Sequence, residues 1–513
     1  MKNLLLLLTF TSLTFAIQAQ PGSLLSAKKV GADNNFQFFD TLTGIGNFGI
    51  SVCKIGDLNG DGITDLAVGA RRSGPTTGLV FILFMDSTGG VKSFTIITKN
   101  EGGLNTASPN AFTNFGQSIA NLGDLDGDGV VDIAVGNNGS GYGGEIYILF
   151  LNSDGTVKNH SRIASNVGGF NTTIATDQEF SISIANIGDI NNDGVVDIAV
   201  GNALDGDGGA WKGAVYILLL NSNGTVKKFQ KISQLSGGFS GTLGPSSRFG
   251  YSICLYKEKR IIVGARLDSS INGFRGTIWL LDIDSNGMVQ AERKINDAST
   301  GFNDTLSFNA GFGSSIASIG DLDGDSINEI AIGADSYDDI NTSTGALFIM
   351  SLDENDNIKF LRRYSNSVGN LPFTFGQTSR FGRSVSGIGD FNKDKKLDIV
   401  VGSSGENGNK GRLNLLFLDG IEHDLSTSKL SINSRSISVY PNPADSKIKV
   451  AINSSTLHQA DVHITDISGK ICLSIQNFDL NNEIDVSLLK AGVYFVRLQT
   501  SEGIFQSKLI VQQ

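Results

Sequence analysis

Short apolar runs bounded by glycine- and asparagine-rich turns recur along most of this chain. In one stretch the runs fall at residues 181–185, 197–200, 214–220 and 226–232. Their length, β-branched content and punctuation predict strands rather than helices. Asn221-Ser222-Asn223-Gly224 predicts the last hairpin of that stretch, as Asn152-Ser153-Asp154-Gly155 does one period earlier. A phenylalanine opens each period: Phe48, Phe115, Phe180, Phe249, Phe312 and Phe381, spaced 67, 65, 69, 63 and 69 residues apart. All but Phe180 are followed by glycine, and the second run ends in Gly69, Gly136, Gly201, Gly264, Gly333 or Gly402. Self-similarity at a fixed period predicts an all-β chain with a four-stranded unit repeated six times.

Between the first and second runs lies an acidic loop, most regular in Asp124-Leu125-Asp126-Gly127-Asp128-Gly129-Val130-Val131-Asp132. Oxygen-bearing side chains stand at its positions 1, 3, 5 and 9, which suits a hard cation that takes six to eight oxygen ligands. The expected ligands are Asp57, Asn59, Asp61 and Asp65; Asp124, Asp126, Asp128 and Asp132; Asp189, Asn191, Asp193 and Asp197; Asp321, Asp323, Asp325 and Glu329; and Asp390, Asn392, Asp394 and Asp398. Calcium is therefore expected at five structural sites, each ion neutralising three or four carboxylates and pinning a turn. The period at Phe249 has lost this loop. In the fifth period Ser326 replaces the position-6 glycine and Glu329 the final aspartate, so a looser site is expected; in the sixth Lys395 stands in the glycine slot, and the charges of Lys395 and Lys396 are expected to weaken the site. An EF-hand is excluded by spacing, because no bidentate glutamate stands at position 12.

Phe-Gly, an acidic loop and then Val-Gly-Ala (Val68-Gly69-Ala70, Val263-Gly264-Ala265) resemble the FG-GAP repeat of integrin α-subunit β-propellers. The resemblance covers roughly residues 22–420 and implies a propeller. The last period stops after its third run, 412–418, while residues 23–30 precede the first Phe-Gly with the spacing of a fourth strand. The N-terminal segment is expected to complete the last blade and leave no unpaired edge. Six blades are expected, with seven, the integrin number, as the alternative.

From residue 438 onward neither Phe-Gly nor acidic loop recurs. Alternating runs at 448–452 and 462–467, a Ser468-Gly469-Lys470 turn and Lys508-Leu509-Ile510-Val511 suffice for a small β-sandwich. Tyr440-Pro441-Asn442-Pro443, the Gly-Lys turn and Gly492-Val493-Tyr494-Phe495-Val496 resemble the type A C-terminal sorting domain of the type IX secretion system. That resemblance implies export across the bacterial outer membrane, with surface attachment or release. The expected organisation is a signal peptide (1–19), the propeller (20–420), a linker rich in Ser, Asn and charge (421–437) and the sorting domain (438–513). Lys2, the apolar stretch to Ala16 and Ile17-Gln18-Ala19 carry the signal-peptide reading, being too short to span a bilayer.

The formal charge is −11, but 17 of the 51 acidic residues are metal-loop positions, and five divalent ions would bring it to about −1. No basic patch suggests nucleic acid. Cys53 and Cys254 fall where other periods have Ala or Ser, so both are expected as small packing residues. The loops opposite the metal turns carry Tyr142, Trp211 and Tyr337, whose amphipathic rings suit sugar or protein contacts. The expected function is a secreted or cell-surface ligand-binding protein, an adhesin for protein or polysaccharide. A polysaccharide-degrading enzyme or accessory subunit and a surface-layer component are the alternatives. Of the four histidines only His160 lies in a period, and no catalytic constellation is recognised. A carboxylate pair such as Asp205 with Asp338 is the remaining enzymatic candidate.

Overall fold

The runs expected as second and third strands are buried along their length, as in Asp197–Asn202 and Ala214–Leu220. Residues buried on both faces read as continuous apolar runs, and these do. The fourth strands instead mix buried and exposed positions, as Val226–Ser233 does, because they lie at a sheet edge. The computed structural model describes residues 21–30, 44–72, 77–106, 112–139, 143–268, 273–421, 437–452, 459–466, 471–480, 482–500 and 503–512. The expected signal peptide and nearly all of the expected linker lie outside them. The chain divides into two compact units, residues 1–423 and 424–513.

The first unit is a six-bladed β-propeller among the described residues. Each blade is an antiparallel sheet with strands in chain order, the first three blades opening with Val52–Gly56, Phe115–Gly123 and Phe180–Gly188 and the last three with Phe249–Lys257, Phe312–Gly320 and Phe381–Gly389. Blade 6 takes its fourth strand from the N-terminal end: Leu24–Lys29 pairs antiparallel with Leu413–Leu418, in register Leu24↔Leu418 to Lys29↔Asn414. The first strands contact one another in sequence, and that of blade 6 returns to that of blade 1, so the ring is closed.

The core lies between blades. Six apolar clusters each draw on two neighbours: Phe170, Phe180 and Tyr216 of blade 3 pack with Ile146 and Ile148 of blade 2, for example. The opening phenylalanines are all buried. Phe48, Phe115, Phe180 and Phe312 pack edge-on against Phe81, Tyr147, Tyr216 and Phe348 at centroid distances of 5.5, 5.7, 5.7 and 5.5 Å.

Two further positions fasten neighbouring blades. A serine three residues after each phenylalanine donates its Oγ–H to a backbone carbonyl of the next blade. Ser51 bonds Gly116, Ser118 bonds Ser181, Ser183 bonds Gly250, Ser252 bonds Gly313 and Ser315 bonds Gly382, at 2.7–2.9 Å. Ser384 closes the circle on Gly49 at 2.8 Å. The glycine ending each second strand faces the same carbonyl: a Cβ on Gly201 would lie 1.8 Å from the Gly250 oxygen. Only glycine permits that approach.

The second unit holds a sheet of Ile437–Tyr440, Lys447–Ile452 and Ile484–Asp485 and a sheet ordered Ile471–Asp479, Gln459–Asp466, Gly492–Thr500, Gly503–Val511. Val450, Val462, Val496 and Leu509 lie in its core. Asn442 donates to the Lys508 carbonyl at 2.7 Å and accepts the Ile510 N–H at 2.8 Å, clipping the Tyr-Pro-Asn-Pro turn to the last strand.

Cys53 is half-buried, Cys254 buried and Cys472 exposed, all three as free thiols. Burial pushes the Cys53 and Cys254 thiols up to about 12, which suits packing rather than reactivity.

Candidate functional site

Each acidic loop joins the first strand of its blade to the second. The position-1 carboxylate accepts the backbone N–H of position 6: Gly62 to Asp57, Gly129 to Asp124, Gly194 to Asp189, Ser326 to Asp321 and Lys395 to Asp390, at 2.7–2.9 Å. Position 6 is left-handed throughout, with φ of 81°, 88° and 86° at the glycines and 68° and 69° at Ser326 and Lys395. Ser326 and Lys395 thus keep the same left-handed turn as the glycines. Lys396 is drawn away to Asp419 at 2.5 Å.

The position-9 carboxylates open the second strands and are fully buried. Asp65 accepts the N–H of Leu58 and of Met85, both at 3.0 Å, and Asp132 those of Leu125 and Leu151 at 2.9 and 3.1 Å. Burial pushes Asp65, Asp132 and Asp197 up to about 6 and Glu329 and Asp398 up to about 7, against these N–H groups, which pull the other way. Oxygens of Asp124, Asp126 and Asp132, and of Asp321, Asp323 and Asp325, lie within 4.8 Å of one another. Asp323 Oδ1, Glu329 Oε1, Asp390 Oδ1 and Asp398 Oδ1 are buried with no hydrogen-bond partner. Converging carboxylates with orphaned oxygens fit a hard divalent cation.

A lysine from the fourth strand reaches into four of these loops. Lys92 meets Asp61 at 2.6 Å, Lys158 meets Asp126 at 2.7 Å and also Asp128, Lys227 meets Asp193 at 2.9 Å, and Lys359 meets Asp323 and Asp325 at 2.7 and 2.5 Å. Sequence reasoning missed it. The signal was available: the lysine follows the Val or Ile that opens the fourth strand, and blade 4, which lacks the loop, has Gln290 there.

On the loops between second and third strands, Trp211 is 53% exposed. Tyr337 is not: expected as a binding aromatic, it is only 6% exposed and packs on Phe348. Its hydroxyl donates to the Thr305 carbonyl and meets Arg363. This ring is part of the apolar cluster between blades 4 and 5, which its loop position does not reveal. Tyr142 lies outside the described residues. Asp205 is buried and paired with Lys231 at 2.9 Å, and it lines a different cavity from Asp338. That disposition does not make a catalytic pair of them.

Trp211, Phe274 and Phe308, all exposed, line an open pocket of about 600 Å³ bounded by loops of blades 3, 4 and 5. Sequence reasoning found only Trp211 among them. The channel at the ring axis is lined by the residue before each inter-blade serine, that serine and its successor; Gln117, Tyr251 and Arg383 are among them.

Residues 48–83, 312–350 and 381–413 match the FG-GAP repeat family, and residues 124–200 the FG-GAP-like repeat. Residues 438–512 match the secretion system C-terminal sorting domain. The chain is similar to integrin alpha-4 of Xenopus laevis, 32% identical over 158 residues that make up 30% of this chain and 14% of that protein. It is also similar to integrin alpha-3 of Cricetulus griseus, 34% identical over 181 residues, 34% of this chain and 15% of that protein. The likeness thus spans about one-seventh of these relatives' length. Among solved structures, PorZ, an essential bacterial surface component of the type IX secretion system of Porphyromonas gingivalis, aligns over 88% of this chain and 58% of its own. The identity is 14% and the TM-score 0.37, too low to carry an argument.

Proposed function

We propose that this chain, which carries FG-GAP repeats ahead of a type IX secretion C-terminal sorting domain, is a calcium-stiffened ligand-binding propeller that works outside the cell. The sorting domain fits an exported protein, and no enzyme family is indicated. We read residues 1–19 as its signal peptide, 20–420 as the propeller, 421–437 as the linker and 438–513 as the sorting domain. In this reading the five acidic loops hold calcium through the twenty side chains named above. Those side chains orient the turns, and the fourth-strand lysines compete with the ion for the carboxylates at positions 3 and 5.

The observation that carries the binding role is the open pocket with three exposed aromatic rings. It lies on loops held by closed, fully packed blades, where binding sites usually concentrate. A binding screen of the secreted chain against polysaccharides, matrix proteins and intact cells tests it. Saturable capture of one ligand class, lost in Trp211→Ala, supports the reading. A folded chain that captures nothing moves the weight to a structural surface component.

A further inference from the structure

The charged residues lining this pocket are two arginines and one aspartate, on a chain whose formal charge is −11. Arg266 lines the pocket and binds Asp335 at 2.8 Å and the Ser336 hydroxyl at 2.8 Å. Its guanidinium also lies 5.2 Å from the Tyr251 ring centroid. Arg383 sits 5.4 Å from the same ring, bonds the Tyr251 hydroxyl and shares Asp335 at 3.5 Å. Arg71 donates to Gln117, which with Tyr251 and Arg383 lines the axial channel, at 3.2 Å. Arg248 lines the pocket with its Nε unpartnered among the described residues. Arg380, an exposed residue, donates its backbone N–H to the Ser343 carbonyl of the pocket wall at 3.3 Å. The pocket lining thus holds two arginines, Arg248 and Arg266, against one carboxylate, Asp338, while Arg71, Arg380 and Arg383 crowd one another beside the channel and Asp335 bridges Arg266 to Arg383. The Arg71 guanidinium is held below its ordinary range by burial and by the neighbouring Arg383 and Arg380 charges, a like-charge crowding that an anion would relieve.

We propose that the pocket between blades 3, 4 and 5 binds an anionic polysaccharide. Sugar faces lie against Trp211 and Phe308, and carboxylate or sulfate groups lie toward Arg248 and the arginines leading to the channel mouth. Flat aromatic surfaces suit the C–H faces of pyranose rings, and Asn309, Thr342 and Ser343 offer neutral hydrogen-bonding groups for ring hydroxyls. Arginine forks match planar and tetrahedral oxyanions. An acidic peptide would satisfy the arginines but give the exposed rings no comparable flat partner. The inference rests on the ligand-binding reading above and narrows it to one ligand class.

The test is retention of the full secreted chain, in calcium, on polygalacturonate, dextran sulfate, neutral dextran and poly-glutamate. Retention by polygalacturonate or dextran sulfate, at least tenfold weaker in Trp211→Ala, Phe308→Ala and Arg248→Gln with melting temperature unchanged, is expected. Which of those two is retained separates carboxylate from sulfate recognition. Equal retention on dextran would overturn the role of charge. Retention on poly-glutamate that survives Trp211→Ala would make the surface a site for acidic protein. If no polysaccharide is retained while matrix protein or cells are captured, the inference falls and the ligand-binding reading stands. If nothing is captured, both fall.

Discussion

In blade 4 the first strand passes into the second through Glu258 and Lys259 alone, whereas blade 2 has the eight residues 124–131 there. The position that opens the second strand differs as well: Asp65, Asp132, Asp197, Glu329 or Asp398 in five blades, Arg260 in the fourth. Arg260 donates to Asp282 within its blade and to Asp356 of blade 5, each at 2.7 Å. The fourth-strand lysine is replaced by Gln290, which has no loop carboxylates to meet. Five blades thus gather carboxylates that could hold an added cation, while the fourth supplies a covalent one. On the calcium reading proposed above, blade 4 is the built-in control.

The largest expected effect is chelation. At free calcium 100 times Kd, each site adds about 2.7 kcal/mol. A chelator should therefore lower the melting temperature of the full chain well beyond calorimetric error, and an unchanged value would sink the calcium reading. Next is Asp132→Asn, expected to remove one bound calcium and cost about 1–3 kcal/mol in calcium buffer. In chelator the penalty should shrink, since the buried charge it removes then lacks compensation; an equal penalty in both buffers would make Asp132 a purely structural acceptor. Arg260→Met should cost about 1 kcal/mol, because the pair is partly exposed, and the cost should not depend on calcium. A calcium-dependent loss would break the contrast between blade 4 and its neighbours. The smallest effect is expected of Lys158→Met: tighter calcium binding at the second loop by titration calorimetry, as a competing charge leaves. Weaker binding would show that the lysine supports the site.

The period, the four strands per blade and the donated N-terminal strand were legible because each leaves a fixed-spacing signature: Phe-Gly, the acidic loop, and a last period one strand short. The serine ring was equally periodic but carried no chemistry that marks it before the neighbouring carbonyl is seen. Tyr337 misled because loop membership does not report burial. Of the pocket only Trp211 was legible: Phe274 and Phe308 stand on other loops, and only the ring's geometry brings the three together. Asn442 stood out as part of a motif, while its clip on Lys508 and Ile510 needed coordinates.

The most direct test is the calcium content of the intact, folded chain by native mass spectrometry. The account predicts five ions per chain, and four in Asp132→Asn. A folded chain that carries none, with the same melting temperature in calcium and in chelator, would contradict it.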